Sequence, residues 1–166
     1  MKVRRLNEND VKQYHKIRLE ALKNSPEAFS SSYQEEIEKP IEVYRSRLAS
    51  TEGSITFGYE DNDQVCGVIT VVKENKAKLN HRVMIVSTYV IPEKRGQGIG
   101  KVLVQEAIQQ AKRLDGIEQV YLTVANNNEK AKKLYRYFGF ELFGTEKKAL
   151  KFENKYFDID HMVLYF

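Results

Sequence analysis

The 166-residue sequence predicts one mixed α/β domain, with a mostly antiparallel central sheet and flanking helices. Three observations carry this reading. Alternating apolar runs recur on both sides of a strand–helix–strand–helix core, so hairpins flank the core and a doubly wound sheet is excluded. The run Arg82–Val90 is largely apolar on both faces, which places it in the middle of the sheet. Two segments, near 98–114 and 128–138, repeat their apolar residues with helical spacing.

In chain order, residues 2–6 read as a short strand. A helix follows from about Asp10, whose carboxylate suits an N-cap, with Val11, Tyr14, Ile17 and Leu22 on one stripe. Ser25-Pro26 stops it, because the residue before proline avoids the helical region. Pro40 opens a second helix that runs to Leu48. The runs SITFGYE and QVCGVITVVK form a hairpin across the polar loop Asp61-Asn62-Asp63. In the central strand, Val83, Ile85, Ser87 and Tyr89 fall on one face and Met84, Val86, Thr88 and Val90 on the other. RGQGIG then leads into a helix with the stripe Ile99, Leu103, Ala107, Ala111 and Leu114, ended by Asp115-Gly116. QVYLTV is the next strand. Asn128 to Phe138 is the next helix, with Ala131, Leu134, Tyr135 and Phe138 on its stripe and Gly139 at its end. Glu141 to Phe166 reads as two strands around a turn near Glu153-Asn154.

Bulk properties exclude several classes. A composition of 42% hydrophobic and 30% charged residues is that of a globular protein, not a disordered chain. No apolar run approaches the roughly 18 residues of a membrane helix. MKVRRLNEND lacks the apolar core of a signal peptide, and the lone Cys66 cannot form an internal disulfide, so a reducing, cytoplasmic setting is expected. The net charge of +4 is spread through interleaved Glu and Lys, as in EEIEK and NEKAKK, which reads as a solvated surface and not a nucleic-acid face. His15, His81 and His161 lie far apart, with no ligand spacing to cysteine or carboxylate, so no metal is expected. Cys66, between Val65 and Gly67, reads as a small buried residue, and no GxSxG elbow supports serine hydrolysis.

The segment that carries chemistry is Arg95-Gly96-Gln97-Gly98-Ile99-Gly100, between a strand and an amphipathic helix. A helix N-terminus offers unpaired N–H groups and a partial positive charge, and glycines let an anion approach them. Arg95 and Lys101 add charge at the rim, so the turn reads as a phosphate cradle. Its spacing is GxGxG, not the dinucleotide GxGxxG, and no Gly-Lys-Ser/Thr follows as in a P-loop.

Arg95, Gly98 and Gly100 fit the pattern Gln/Arg-x-x-Gly-x-Gly/Ala, after a strand ending Val90-Ile91-Pro92. Downstream comes Asn128-x-x-Ala131-x-x-Leu134-Tyr135-x-x-x-Gly139-Phe140. The pair of motifs, with a helix and a strand between them, resembles the GNAT superfamily of acetyltransferases over residues 82–140. The early segment SPEAFSSSYQEE resembles one found in a subset of that family. The resemblance implies the acyl-CoA N-acyltransferase fold and acetyl-CoA as co-substrate, with no metal. It implies that the CoA pyrophosphate lies on the N–H groups of Arg95, Gly96, Gln97, Gly98, Ile99 and Gly100, with Lys101 at the rim. The pantetheine arm would run beside the strand end at Tyr89 and Val90, in a V-shaped gap facing QVYLTV. Asn128 would hydrogen-bond the cofactor from the other side.

The resemblance also implies Tyr135 as the catalytic residue beside the CoA sulfur. With a thiol at about 8.5 and a phenol at about 10, full proton transfer from tyrosine to thiolate is uphill by about 2 kcal/mol. Tyr135 is therefore expected to donate a hydrogen bond to the thiolate, or to have a lowered pKa. A lysine-like amine costs about 4–5 kcal/mol to neutralise at pH 7, which calls for a base. The central strand has no carboxylate between Val83 and Val90, which leaves Glu35, Glu36 or His81 acting through water. Tyr33, Glu35 and Glu36 are the expected wall of an acceptor pocket built by residues 25–50 and the last hairpin, with the carboxylates on a solvated face. The acceptor is a primary amine on a small molecule or peptide. The rival within the same fold is a non-catalytic CoA- or acyl-CoA-binding protein. The apolar ending YFDIDHMVLYF either buries in the fold or pairs with a second copy, and the family's frequent dimers point to a homodimer.

Overall fold

Two tight turns fix much of the sheet's register. Asn62 and Asp63 (φ +50° and +60°) join β2 (Ser54–Asp61) to β3 (Gln64–Lys73), and Glu153 and Asn154 (φ +47° and +62°) join β6 (Glu141–Phe152) to β7 (Lys155–Tyr165). Paired left-handed residues match the twist of the strands they connect. The computed structural model describes residues 2–49 and 53–166. With β1 (Lys2–Arg5), β4 (Arg82–Val90) and β5 (Gln119–Ala125), the strands form one seven-stranded sheet in the order β1-β2-β3-β4-β5-β7-β6. Only β4 and β5 run parallel; every other neighbouring pair is antiparallel.

Helices cover both faces. On one face α1 (Val11–Asn24), a one-turn α2 (Tyr33–Ile37) and α3 (Ile41–Leu48) bury Tyr14, Ile17 and Tyr44 against Leu6, Val68 and Tyr89. On the other, α4 (Ile99–Arg113) and α5 (Glu129–Tyr137) bury Leu103, Ala107 and Tyr135 against Ile69, Val83 and Val120. The predicted α4 stripe is buried from Ile99 to Ala111, with Leu114 partly buried at its end. β4 sits fourth of seven, in the middle as expected. Among the described residues no helix is long and apolar enough to cross a membrane.

Four expectations change or are narrowed. Asp10 does not cap α1: a 3₁₀ turn (Glu8–Asp10) precedes the helix, and the Asp10 carboxylate reaches back to the Asn7 N–H (2.8 Å) and to Arg4 (2.8 and 2.9 Å). α2 is a helix not anticipated, closed by a capping box in which Ser32 and Glu35 satisfy each other's backbone N–H groups. The last strand, β7, lies between β5 and β6, so of the two expectations for the C-terminal run burial in the fold holds for Ile159, Met162 and Val163, while Tyr156, Tyr165 and Phe166 stay exposed; β6 is one edge of the sheet, opposite β1.

The fourth change is in β4. Ser87 has φ +55°, uncommon for a residue with a side chain. The ladder with β3 passes from Thr70↔Val86 to Val68↔Tyr89, so Ser87 and Thr88 oppose the single residue Ile69. Such a bulge shifts every later side chain to the opposite face. Val83 and Ile85 join the α4 side, but Tyr89 packs on the α1 side and Val90 against the α4 side. The alternation expected from the sequence holds only as far as the bulge.

Candidate active site

The bulge lies where the sheet opens. β4 and β5 are paired only over Arg82–Ile85 and Gln119–Leu122. Beyond that, β5 continues along β7 to Ala125↔Ile159, while β4 continues along β3. The β5-facing backbone of 86–90 has no strand partner, which is the V-shaped gap the resemblance implies. Arg95 guards its mouth: Nε donates to the Val90 carbonyl (2.9 Å) and the guanidinium lies 5.4 Å from the centre of the Tyr89 ring.

The glycine turn sits just beyond. Gly96 and Gly98 have φ of +78° and +81°, and a Cβ built on either would meet nothing within 4 Å. Open space and left-handed backbone thus coincide at the N-terminus of α4, whose first intrahelical bond is Val102 N–H to the Gly98 carbonyl (3.1 Å). The N–H groups before it have no helical acceptor. Arg95, Gln97 and Lys101 are exposed around the turn, whereas the Ile99 side chain is core and only its backbone faces the cradle. Lys101 is held by the Tyr137 hydroxyl (2.7 Å), and Gln97 reaches the Glu93 carbonyl (3.4 Å). A Cβ at Gly100 would stand 3.3 Å from Leu134 Cδ2, so this glycine sets the close approach of α4 and α5.

Asn128 caps α5, its Oδ1 accepting from Ala131 N–H (3.1 Å), which leaves its amide nitrogen for a ligand. Tyr135 is 5% exposed, edge-on to Phe140 at 5.8 Å. Burial pushes its phenol up, with the Thr88 hydroxyl opposing in part through a hydrogen bond. Burial thus acts against the lowered-pKa alternative, and among the described residues no cation contributes to the shift at Tyr135. α5 is anchored from below by a network the sequence reading missed. Buried Asp160 on β7 accepts from Lys132 (3.2 Å), Asn126 (2.9 Å) and Thr145 (2.7 Å), and Lys132 also meets Glu129 (2.6 Å).

On the opposite face of the sheet is a half-open cavity of about 210 Å³. Its wall includes Val86 and Ser87 of the bulge, Arg18 of α1, Glu36 of α2 and Arg47 of α3. Ser87 thus lines the cavity while the hydroxyl of its neighbour Thr88 is close enough to Tyr135 to influence its phenol, so the bulge joins the two faces. The wall draws Ser31, Glu36 and Arg47 from the expected 25–50 segment but nothing from the last hairpin; α1 and β2–β4 supply the rest. Tyr33 is half-buried at the start of α2 and does not line it.

Glu36 is not on a solvated face. It is 1% exposed and accepts from Arg47 (2.9 and 3.2 Å), Lys39 (2.7 Å) and the Tyr44 hydroxyl (2.8 Å). Burial alone would raise its pKa, but these donors outweigh it and hold the carboxyl at about 2. A carboxylate so acidic and so committed is a poor base. Glu35 is exposed and spent on the capping box. His81 stands before the start of β4, against Gln119 (3.1 Å), at the opposite end of the strand from the bulge. The structure instead brings a carboxylate not singled out before, Glu20 of α1, to the end of β4: the Tyr89 hydroxyl donates to it (3.1 Å) and accepts from Asn24 (3.2 Å).

Comparisons with known proteins agree with this geometry. The family model for the acetyltransferase (GNAT) domain matches residues 3–163. The L-amino acid N-acetyltransferase AaaT of Escherichia coli K12 is 25% identical over 154 residues, 92% of each chain. A GNAT-family acetyltransferase from Streptococcus pneumoniae superposes with a TM-score of 0.87 at 21% identity, covering 99% of both chains. YncA from Salmonella typhimurium, solved with acetyl-CoA, superposes at 0.82 with 19% identity, covering 99% of this chain and 93% of its own. A split between β4 and β5, a glycine turn at the head of α4 and a family match across nearly the whole chain lead to one assignment: the protein belongs to the GNAT family and is an acetyl-CoA-dependent N-acetyltransferase.

Proposed function

We propose that the chain transfers an acetyl group from acetyl-CoA to the primary amine of a small molecule or peptide, by direct attack within a ternary complex. The observation that carries this is the β4 bulge, which puts Tyr135 and the half-open cavity on either side of one unpaired stretch of backbone. The empty space at Gly96 and Gly98, the unpaired N–H groups of α4 and the β4–β5 gap fit an extended, phosphorylated ligand. Residues 95–100 and Lys101 would hold the pyrophosphate, the edge at Tyr89 and Val90 the pantetheine arm, and Asn128 the far side.

Acetyl-CoA supplies an activated thioester, whose C–S bond breaks as the amine nitrogen bonds the carbonyl carbon, the sulfur ending as a thiol and the amine losing one proton. Tyr135 donates its hydrogen bond where the sulfur charge develops; with its own pKa raised, it serves as a donor held in place, not as a ready acid. For the amine proton we assign Glu20 as the acceptor, relayed by the Tyr89 hydroxyl that donates to it (3.1 Å). The E. coli relative's name puts amino acids among the acceptors to screen. A homodimer would use the β6 edge, and sedimentation at the mass of one chain would remove it.

The test is calorimetric titration with acetyl-CoA, with dephospho-CoA and NAD as controls, followed by thiol release on an amine panel. Saturable binding of acetyl-CoA but not NAD, with thiol release, is expected. No binding to a folded sample would make the glycine turn structural only and overturn the reading.

A further inference from the structure

One group in the cavity is left over by everything above. Arg18 is 8% exposed and lines the cavity. Its Nε and Nη1 are buried without a hydrogen-bond partner among the described residues. The Phe29 ring, 4.9 Å from Cζ, covers the flat face of the guanidinium, but a ring face accepts nothing from N–H groups that point outward in the guanidinium plane. The nearest carboxylate cannot serve. A carboxylate offers about four acceptor positions, and Glu36 already takes two bonds from Arg47, one from Lys39 and one from Tyr44. Glu36 is balanced without Arg18, and the wall keeps an excess of positive charge in Arg18 and Arg47 over Glu36.

A buried, charged donor without an acceptor costs free energy unless a ligand completes it. We propose that Arg18 is the recognition residue for a carboxylate on the acceptor, so that the substrate class is a small amino acid and not a polyamine or other purely cationic amine. This rests on the acetyltransferase reading above. A carboxylate seated on Arg18 leaves an α-amine on the side of Val86 and Ser87, where the bulge opens toward the gap. The volume, about 210 Å³, is below the roughly 300–1,000 Å³ of sites for drug-sized ligands and suits a free amino acid better than a chain end. The net charge of the wall is positive, which suits an anionic group on the acceptor.

The experiment compares matched acceptors with the full chain and saturating acetyl-CoA: several L-amino acids, their carboxamides and the corresponding amines without the carboxylate. The carboxamide is the less basic amine and more of it is neutral at pH 7, so a preference for the acid cannot come from nucleophile supply. We expect kcat/KM for the best amino acid to exceed that of its amide by about 30-fold or more, as for loss of a charge-assisted hydrogen bond. Arg18→Met should bring that ratio close to one with little change toward the amide, and Arg18→Lys should recover part of the preference. Melting curves of both variants establish that they are folded.

A second readout does not need turnover: thermal shift of the CoA-bound protein with N-acetyl amino acids against N-acetyl amino-acid amides. Stabilisation by the acids alone, lost in Arg18→Met, supports the site even if no amine is acetylated, an outcome that would count against the acetyltransfer reading by itself. Equal turnover of acids and amides, or an acid preference that survives Arg18→Met, overturns the carboxylate site while leaving acetyl transfer intact. No difference between acids and amides in either assay overturns it as well.

Discussion

Replacing Glu36 by glutamine tests how the half-open cavity is held together. Glu36 fastens α2 to α3 through Arg47, Lys39 and Tyr44, and two members of that cluster line the cavity. Its carboxyl is held at about 2, against 4.5 for the unperturbed side chain. That difference corresponds to about 3 kcal/mol of folding stability at neutral pH. Arg47 and Lys39 are each about a third open to water, which screens part of it and leaves about 2 kcal/mol. The sign follows from the direction: a carboxyl with a depressed folded pKa contributes fully above about pH 5, and the contribution disappears as pH falls toward 2. For a chain of this size, about 2 kcal/mol moves the melting temperature by about 4–8 °C. Thermal unfolding of the wild type and Glu36→Gln, followed by circular dichroism from pH 7 to pH 2, should show the variant lower by that amount at pH 7 and the curves converging in acid. A constant gap, or none at pH 7, would refute the view that an ionised Glu36 ties these helices together.

Gly98→Glu should abolish acetyl-CoA binding in calorimetry. It adds bulk and negative charge to the cradle, while the fold loses only about 1–2 kcal/mol for the left-handed backbone, since its Cβ meets nothing. Unchanged affinity would remove the cradle assignment. Tyr135→Phe should keep acetyl-CoA affinity and lower turnover about 10²-fold or more by thiol release, and full turnover would return Tyr135 to a packing role.

The elements proposed to hold the cofactor were legible because their signals are local. The GxGxG turn between a strand and an amphipathic helix, the stripe from Ile99 to Leu114 and the helix that follows Asn128 are all written in adjacent residues, and each stands where it was expected. What escaped depends on contacts distant in sequence. Nothing around Ser87 announces a left-handed residue, so the switch of Tyr89 to the α1 face was invisible. Asp160 finds Lys132 and Asn126 only once β7 inserts between β5 and β6. Two signals were present and unread. Ser32-x-x-Glu35 is a capping-box pattern and marks α2. Arg18 falls with Val11, Tyr14, Ala21 and Leu22 on the buried side of α1, and a charge on an apolar stripe is the sequence trace of a buried guanidinium.

The parting of β4 from β5 gives this sheet two interior edges besides the outer ones at β1 and β6, one on β5 and the other over residues 86–90 of β4. Edge strands recruit other strands, and proteins usually blunt them with charge, proline or a bulge. Here Ser87 supplies the bulge, Arg95 ties up the Val90 carbonyl, and Pro92 follows directly after the strand. The interior edge on β4 is therefore defended in the same way as an exterior one. Any ligand that fills it restores a continuous sheet, so occupancy should suppress aggregation of the protein as well as raise its melting temperature.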